Sequence, residues 1–239
     1  LQEPRYARRR HKPPSRVPGF LQTLPMFREM HVDQLRRIAI DSAEVDAPRG
    51  TRIFSRGDVC TGLHLVVFGQ IKLALDTPHG DERVVDLVGA GRSLGPGPLF
   101  GDRPHNLTAD ALQDSKLVHI PKASVHAELE RNHGFARCII NDLTQREEQL
   151  VNDIENCTLR SGKQRVSWYL LSQLGETQQQ SNASITLPST KGIVASHMNL
   201  THEHFSRILH ELAVAGLIIM NGRQIDIPDI ARLQSLSGA

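Results

Sequence analysis

Glu203 and Arg207 stand four residues apart in the segment NLTHEHFSRILHELAVAGLI, with His202 and Ser206 beside them. On a helix that spacing places both charged side chains on one face. Phe205, Ile208, Leu209, Leu212 and Ala213 recur at i, i+3 and i+4 on the opposite face. A guanidinium can donate two parallel hydrogen bonds to the O6/N7 edge of guanine, and a carboxylate can accept from the N4 amine of cytosine. In isolation the pair reads as a surface salt bridge worth about 0.2–0.5 kcal/mol. The setting decides between the two readings.

That setting is a run of recognisable elements. Ser189 or Thr190 caps a helix containing Ile193 and Val194, and a short turn follows through His197, Met198 and Asn199. Thr201 caps a second helix that ends at Gly216. Two β runs, 217–220 and 224–227, are joined by Asn221-Gly222, a strong hairpin signal. Helix, short turn, helix and hairpin make a winged helix-turn-helix. There the N-terminal part of the second helix reaches base edges in the major groove. Thr201, His202, Glu203, Ser206 and Arg207 are therefore the expected DNA contacts.

Upstream, the pattern is different. Short apolar runs at 51–55, 63–68, 71–76, 83–88, 107–111 and 116–120 are separated by glycine-rich turns. Such spacing indicates an antiparallel barrel or jelly roll. Residues 20–43 read as two short helices, and Ser124 as the cap of another. A long helix then begins near Gly134. It carries Ile140, Glu147 and Ile154 at one heptad position and Ala136, Leu143, Leu150 and Cys157 at the other. Leucine and isoleucine on so narrow a stripe suit pairing with a twin helix, with Glu147 fixing register at a cost in stability. Packing back onto the barrel is the alternative. The expected division is a basic tail at 1–18, a sensor domain at 19–132, a dimerisation helix at 133–159 and a DNA-binding domain at 160–239. The fold class is α+β.

Composition limits the function classes. The 239 residues carry a net charge of +2, so basic surface must be local. One such place is the tail, where Arg5, Arg8, Arg9, Arg10, Lys12 and Arg16 accompany Pro13, Pro14 and Pro18. It reads as a solvated segment, or as an arm adding phosphate contacts. No apolar run, 217–220 included, approaches the roughly 18 residues of a membrane span. Cys60, Cys138 and Cys157 are odd in number and scattered, which fits a reducing cytoplasm and no disulfide framework. No zinc-type Cys/His spacing is present, so no metal site is expected. Without a GxSxG, P-loop, HExxH or dinucleotide fingerprint, an enzyme is not expected either.

The order of barrel, long helix and winged helix, with RIFSRGDVCTGLHLVVFGQIKLA and NLTHEHFSRILHELAVAGLI, resembles the Crp/Fnr regulators over roughly residues 20–235. The resemblance implies a homodimer whose barrel senses a small signal and whose paired helices bind a palindromic promoter site, with RNA polymerase as a further partner. Glu203-x-x-Ser206-Arg207 is similar to the Fnr/Dnr recognition helix and implies half-sites of the TTGAT type. His202 stands where the cyclic-AMP receptor proteins carry arginine, which argues against their half-site.

The signal is narrowed in the same way. In SLGPGPLFGDRPHNLTADAL, Pro96, Asn106 and Leu107 stand where cyclic-nucleotide binders of this family carry Glu, Arg and a hydroxyl residue. A buried phosphate without its cation is costly, so cyclic AMP is not expected. Residues 1–59 contain no cysteine, so an iron–sulfur cluster of the Fnr kind is not expected. What remains resembles the Dnr branch and its haem-dependent sensing of nitric oxide. Among twelve histidines, no single one stands out as an axial ligand. The candidates are His64, which reads more simply as a hydrogen-bonded barrel histidine, and His197, which occurs at that place in Dnr-type sequences. A cyclic-nucleotide-like or other small ligand without haem, or constitutive DNA binding, is the alternative.

Overall fold

The strands expected between Pro48 and Ile120 form two four-stranded antiparallel sheets in the computed structural model, which describes residues 16–28, 30–76, 82–174 and 181–237. The strands are β1 (Ala43–Ala47), β2 (Arg52–Phe54), β3 (Gly62–Phe68), β4 (Gln70–Asp76), β5 (Glu82–Gly89), β6 (Ser93–Leu94), β7 (Thr108–Ala111) and β8 (Ser115–Pro121). One sheet runs β1-β8-β3-β6 and the other β2-β7-β4-β5. The result is a jelly-roll sandwich and not a closed barrel. Most residues 1–18 of the basic tail, the turn at 78–80 and part of the polar stretch at 178–182 lie outside the described residues.

Alternation along the strands builds two cores. Val66, Leu94 and Leu117 meet Ile53, Ile71, Leu73, Val88 and Ala109 between the sheets. Leu63, Leu65, Val118 and Ile120 point the other way and pack against helices. Those helices are α1 (Val17–Thr23), α2 (Val32–Ile40), α4 (Lys122–Arg131) and the start of α5 (His133–Leu159). A short helix, α3 (Pro96–Phe100), follows β6. Gly69 joins β3 to β4 at φ +96°, and a Cβ there would run into Ser115 on β8. Only glycine meets both demands.

Ser124 does not cap α4. That helix starts two residues earlier, and the Ser124 hydroxyl instead donates to Asp41. Strands β1 and β6 and a last helix, α9 (Ile230–Ser237), were not expected from the sequence.

The chain divides into two compact units, Leu1–Arg146 and Glu147–Ala239, so the division falls inside α5 and not at either end of it. The second unit contains α6 (Gly162–Ser172), β9 (Ala183–Thr186), α7 (Lys191–His197), α8 (His202–Val214), β10 (Ile219–Asn221) and β11 (Gln224–Ile227). Ser161 forms a capping box with Gln164, which starts α6 immediately after α5 stops. The core of the unit gathers Val166 and Leu170 from α6, Val194 from α7, Phe205, Leu209 and Leu212 from α8, and Ile225 and Ile227 from β11. No helix among the described residues is long and apolar enough to cross a membrane.

Candidate nucleic-acid interface and sensor interior

Thr190 caps α7 by accepting from the Ile193 amide, and Thr201 caps α8 by accepting from the His204 amide at 3.2 Å. Between them the chain reverses through Asn199 at φ +57°, a left-handed conformation that asparagine tolerates better than most residues. Arg165 of α6 holds this turn from behind. Its Nη1 donates to the carbonyls of Met198 (3.0 Å) and Asn199 (3.4 Å). A hydrogen-bonded arginine thus sets the angle at which α8 leaves the turn. Nothing in the spacing of the sequence marked Arg165 for this role.

Helix α8 buries Phe205, Ile208, Leu209 and Leu212, as its periodicity implied. Thr201, His202, Glu203 and Arg207 are exposed, and Ser206 is half-buried. The structure therefore brings all five expected contact residues to the first turns of one helix. Glu203 is held ionised: its own backbone amide and the Thr201 hydroxyl hydrogen-bond to it and lower its pKa, as does nearby His202. It is thus a hydrogen-bond acceptor only. No ion pair joins Glu203 to Arg207 among the described residues, so the simple salt bridge is not made. Beyond Gly216 (φ +70°) lies the wing, β10 paired to β11 and β11 to β9, turning at Gly222 (φ +66°).

In the first unit, His64 on β3 faces the space between the sheets, in register with His119 on β8 and Leu94 on β6. Its ring lies 4.7 Å from that of His119 and 5.9 Å from Phe54. Phe54 also stacks on His105 at 3.7 Å. Contrary to the expectation of a hydrogen-bonded histidine, neither ring nitrogen of His64 has a partner among the described residues, although the residue is 2% exposed. Burial holds its pKa well below 6.5, and neighbouring His119 and His105 push it the same way. Burial also lowers His105 and His119. No three His, Cys, Asp or Glu side chains among the described residues are arranged to hold a metal ion.

At the head of this space, Gly95 (φ +85°) turns the chain into α3. Pro96 is buried, Leu107 packs on the core and Asn106 is exposed. These three positions offer no cation to the interior.

Helix α5 shows two faces. Phe135 and Ile139 are buried in the first unit, where Ser93 donates to Asp142 and Arg146 donates to the Ser93 carbonyl at 2.8 Å. Ile140 (59%), Leu143, Leu150 and Ile154 (63%) are exposed, as are Glu147 and Cys157. The helix therefore packs on its sandwich and leaves the heptad stripe bare; the two readings of the sequence are not exclusive. His197, the other candidate ligand, ends α7 in the second unit with its ring edge-on to Tyr169 at 6.2 Å.

Residues 44–132 match the cyclic nucleotide-binding domain family, and residues 164–236 match the Crp-like helix-turn-helix domain family. The chain is 22% identical over 192 residues to the CRP-like cAMP-activated global transcriptional regulator of Mycobacterium tuberculosis, covering 79% of this chain and 85% of that one. It is 29% identical over 195 residues to electron transport regulator A of Shewanella oneidensis, covering 80% and 76%. The solved structure of FixK2 from Bradyrhizobium japonicum aligns with a TM-score of 0.73 at 20% identity, over 84% of this chain and 99% of that one. With both domains present in this order, and with the helix-turn-helix built as described, the chain belongs to the Crp/Fnr family of transcription regulators.

Proposed function

We propose that the chain acts as a homodimer, paired along α5, that sets two α8 helices into successive major grooves of a TTGAT-type palindrome. The observation that carries this reading is the exposed Glu203 and Arg207 on the first two turns of α8, charged and not paired with each other. Arg207 supplies a bidentate donor for guanine, and Glu203 an acceptor for cytosine. Grooves about 34 Å apart call for a two-fold related pair. The bare apolar stripe of α5 is the surface such a pair would share. Work at a promoter then brings the regulator to RNA polymerase in the cytoplasm.

Substituting Arg207→Ala tests the readout. We expect a loss of about 1–3 kcal/mol in binding to a TTGAT palindrome, with relaxed choice at one guanine. A mobility-shift titration against single-base variants of the site measures both. Unchanged affinity would remove Arg207 from the interface.

The sandwich interior around His64 is the proposed sensor, and a redox or nitric-oxide-type signal follows from the likeness of the α8 pattern alone. Pro96, Asn106 and Leu107 leave a cyclic nucleotide's phosphate without a cation, so cyclic AMP is not the proposed ligand. The absence of cysteine from residues 1–59 argues equally against an iron–sulfur cluster. Haem would take His64 or His197 as axial ligand, and neither fits it as arranged. His64 is enclosed by Phe54 and His119, and His197 borders a cavity of about 30 Å³. The geometry favours a smaller occupant, which acts only if it binds the two arrangements of the dimer with different affinity.

A further inference from the structure

In the second unit a half-open cavity of about 30 Å³ lies where the last turns of α5, the middle of α6 and the end of α7 meet. It holds roughly two water-sized positions. Its walls carry four buried polar atoms with no hydrogen-bond partner among the described residues: Asn156 Oδ1, Arg165 Nε, Tyr169 Oη and His197 Nδ1. Asn156 and Tyr169 are more than nine-tenths buried. A fifth such atom, Arg160 Nη1, belongs to a guanidinium lying 5.6 Å over the ring of Trp168, which also lines the cavity.

Buried polar groups in folded proteins are almost always satisfied, so the four on the cavity walls point to an occupant. Their chemistry sets its character. The Arg165 guanidinium nitrogen can only donate. The tyrosine hydroxyl donates or accepts, an imidazole nitrogen does either according to tautomer, and the asparagine amide donates once its oxygen and nitrogen are exchanged. The occupant must therefore be an acceptor. We propose that this cavity is a binding site for a small monovalent oxyanion, of the size of formate or bicarbonate. Asp153 on the rim already has interactions of its own, and its carboxylate disfavours a second negative charge on the occupant. Sulfate, with its second negative charge, is disfavoured on the same ground.

The position gives binding a consequence. Asn156 closes α5, and Tyr169 stands one turn along α6 from Arg165, whose other nitrogen holds the turn before α8. An oxyanion bonded to Asn156, Arg165, Tyr169 and His197 would tie the end of the long helix to the recognition helix. This inference does not rest on the proposed DNA site or on dimerisation.

Trp168 is the only tryptophan in the chain, so its emission reports on this cavity. The full-length protein would be titrated with sodium formate and sodium bicarbonate, with sodium chloride and sodium sulfate as controls at matched ionic strength. A saturable change is expected with the two monoanions and not with the controls. Tyr169→Phe keeps the shape and removes one donor, and should weaken binding about tenfold. Asn156→Leu fills the cavity and should abolish binding; circular dichroism confirms that each variant is folded. If neither monoanion gives a change beyond that of chloride, the cavity holds only water and the proposal falls. It falls equally if both folded variants respond like the parent, because the ion then binds elsewhere.

Discussion

With two unpartnered ring nitrogens between the sheets, His64 makes the sandwich sensitive to acid. The groups around it are His119 on β8 and His105 ahead of β7, with Phe54 and Leu94 closing the sides and Asp58 acting on His105. All three histidines have folded-state pKa values lowered from 6.5 by burial. The unfolded chain therefore takes up more protons than the folded one. Their contribution to stability is intact above about pH 6.5 and is lost progressively as the pH falls below it. Hydrogen exchange of the β3 and β8 amides should show this slope, and His64→Leu should flatten it without loss of stability at neutral pH. An unchanged slope would place the titrating groups elsewhere. The burial of His64 was readable from its apolar strand, but not the lack of partners, which depends on what the facing strands supply. Glu203 and Arg207 were legible because helical spacing alone exposes them. Arg165, Tyr169 and Asn156 were not, because two separate elements, α5 and α6, bring them together.

At the scale of elements, α5 was legible through its heptad, since Ile140, Leu143, Leu150 and Ile154 recur at the spacing of a paired helix. The residues that face the sandwich, Phe135 and Ile139, share the same helix with a different phase. A single stripe could not reveal that another face of the helix packs on the sandwich. Ile154→Glu should split the proposed dimer while leaving each unit folded, because the site is 63% exposed in the isolated chain and leaves no cavity when changed. Sedimentation velocity distinguishes the outcomes, and a variant that remains dimeric would move the interface away from α5. The two-residue β6 shows the limit of periodicity, for a run that short has no alternation to read. The misplacement of the α4 cap has a similar cause. Ser124 looked like a cap, but the helix is started two residues earlier, where β8 ends at Pro121.

For the whole molecule, the order of sandwich, long helix and winged helix was readable because each segment has its own period and punctuation. The boundary was harder to place. One continuous helix serves both units, and nothing in its sequence changes at Arg146. The bare stripe of α5 then has a consequence for how the regulator responds to its own abundance. Glu147 interrupts the stripe, which loosens any pairing built on it. If two chains must meet before either binds its palindrome, promoter occupancy at low abundance rises with the square of chain concentration. A DNA titration below the dimer dissociation constant should show a Hill slope of about 2, and Glu147→Leu should bring it toward about 1 by making the pair permanent. A modest change in expression or turnover of the chain would then act as a threshold on its target genes, before any ligand reached the sandwich.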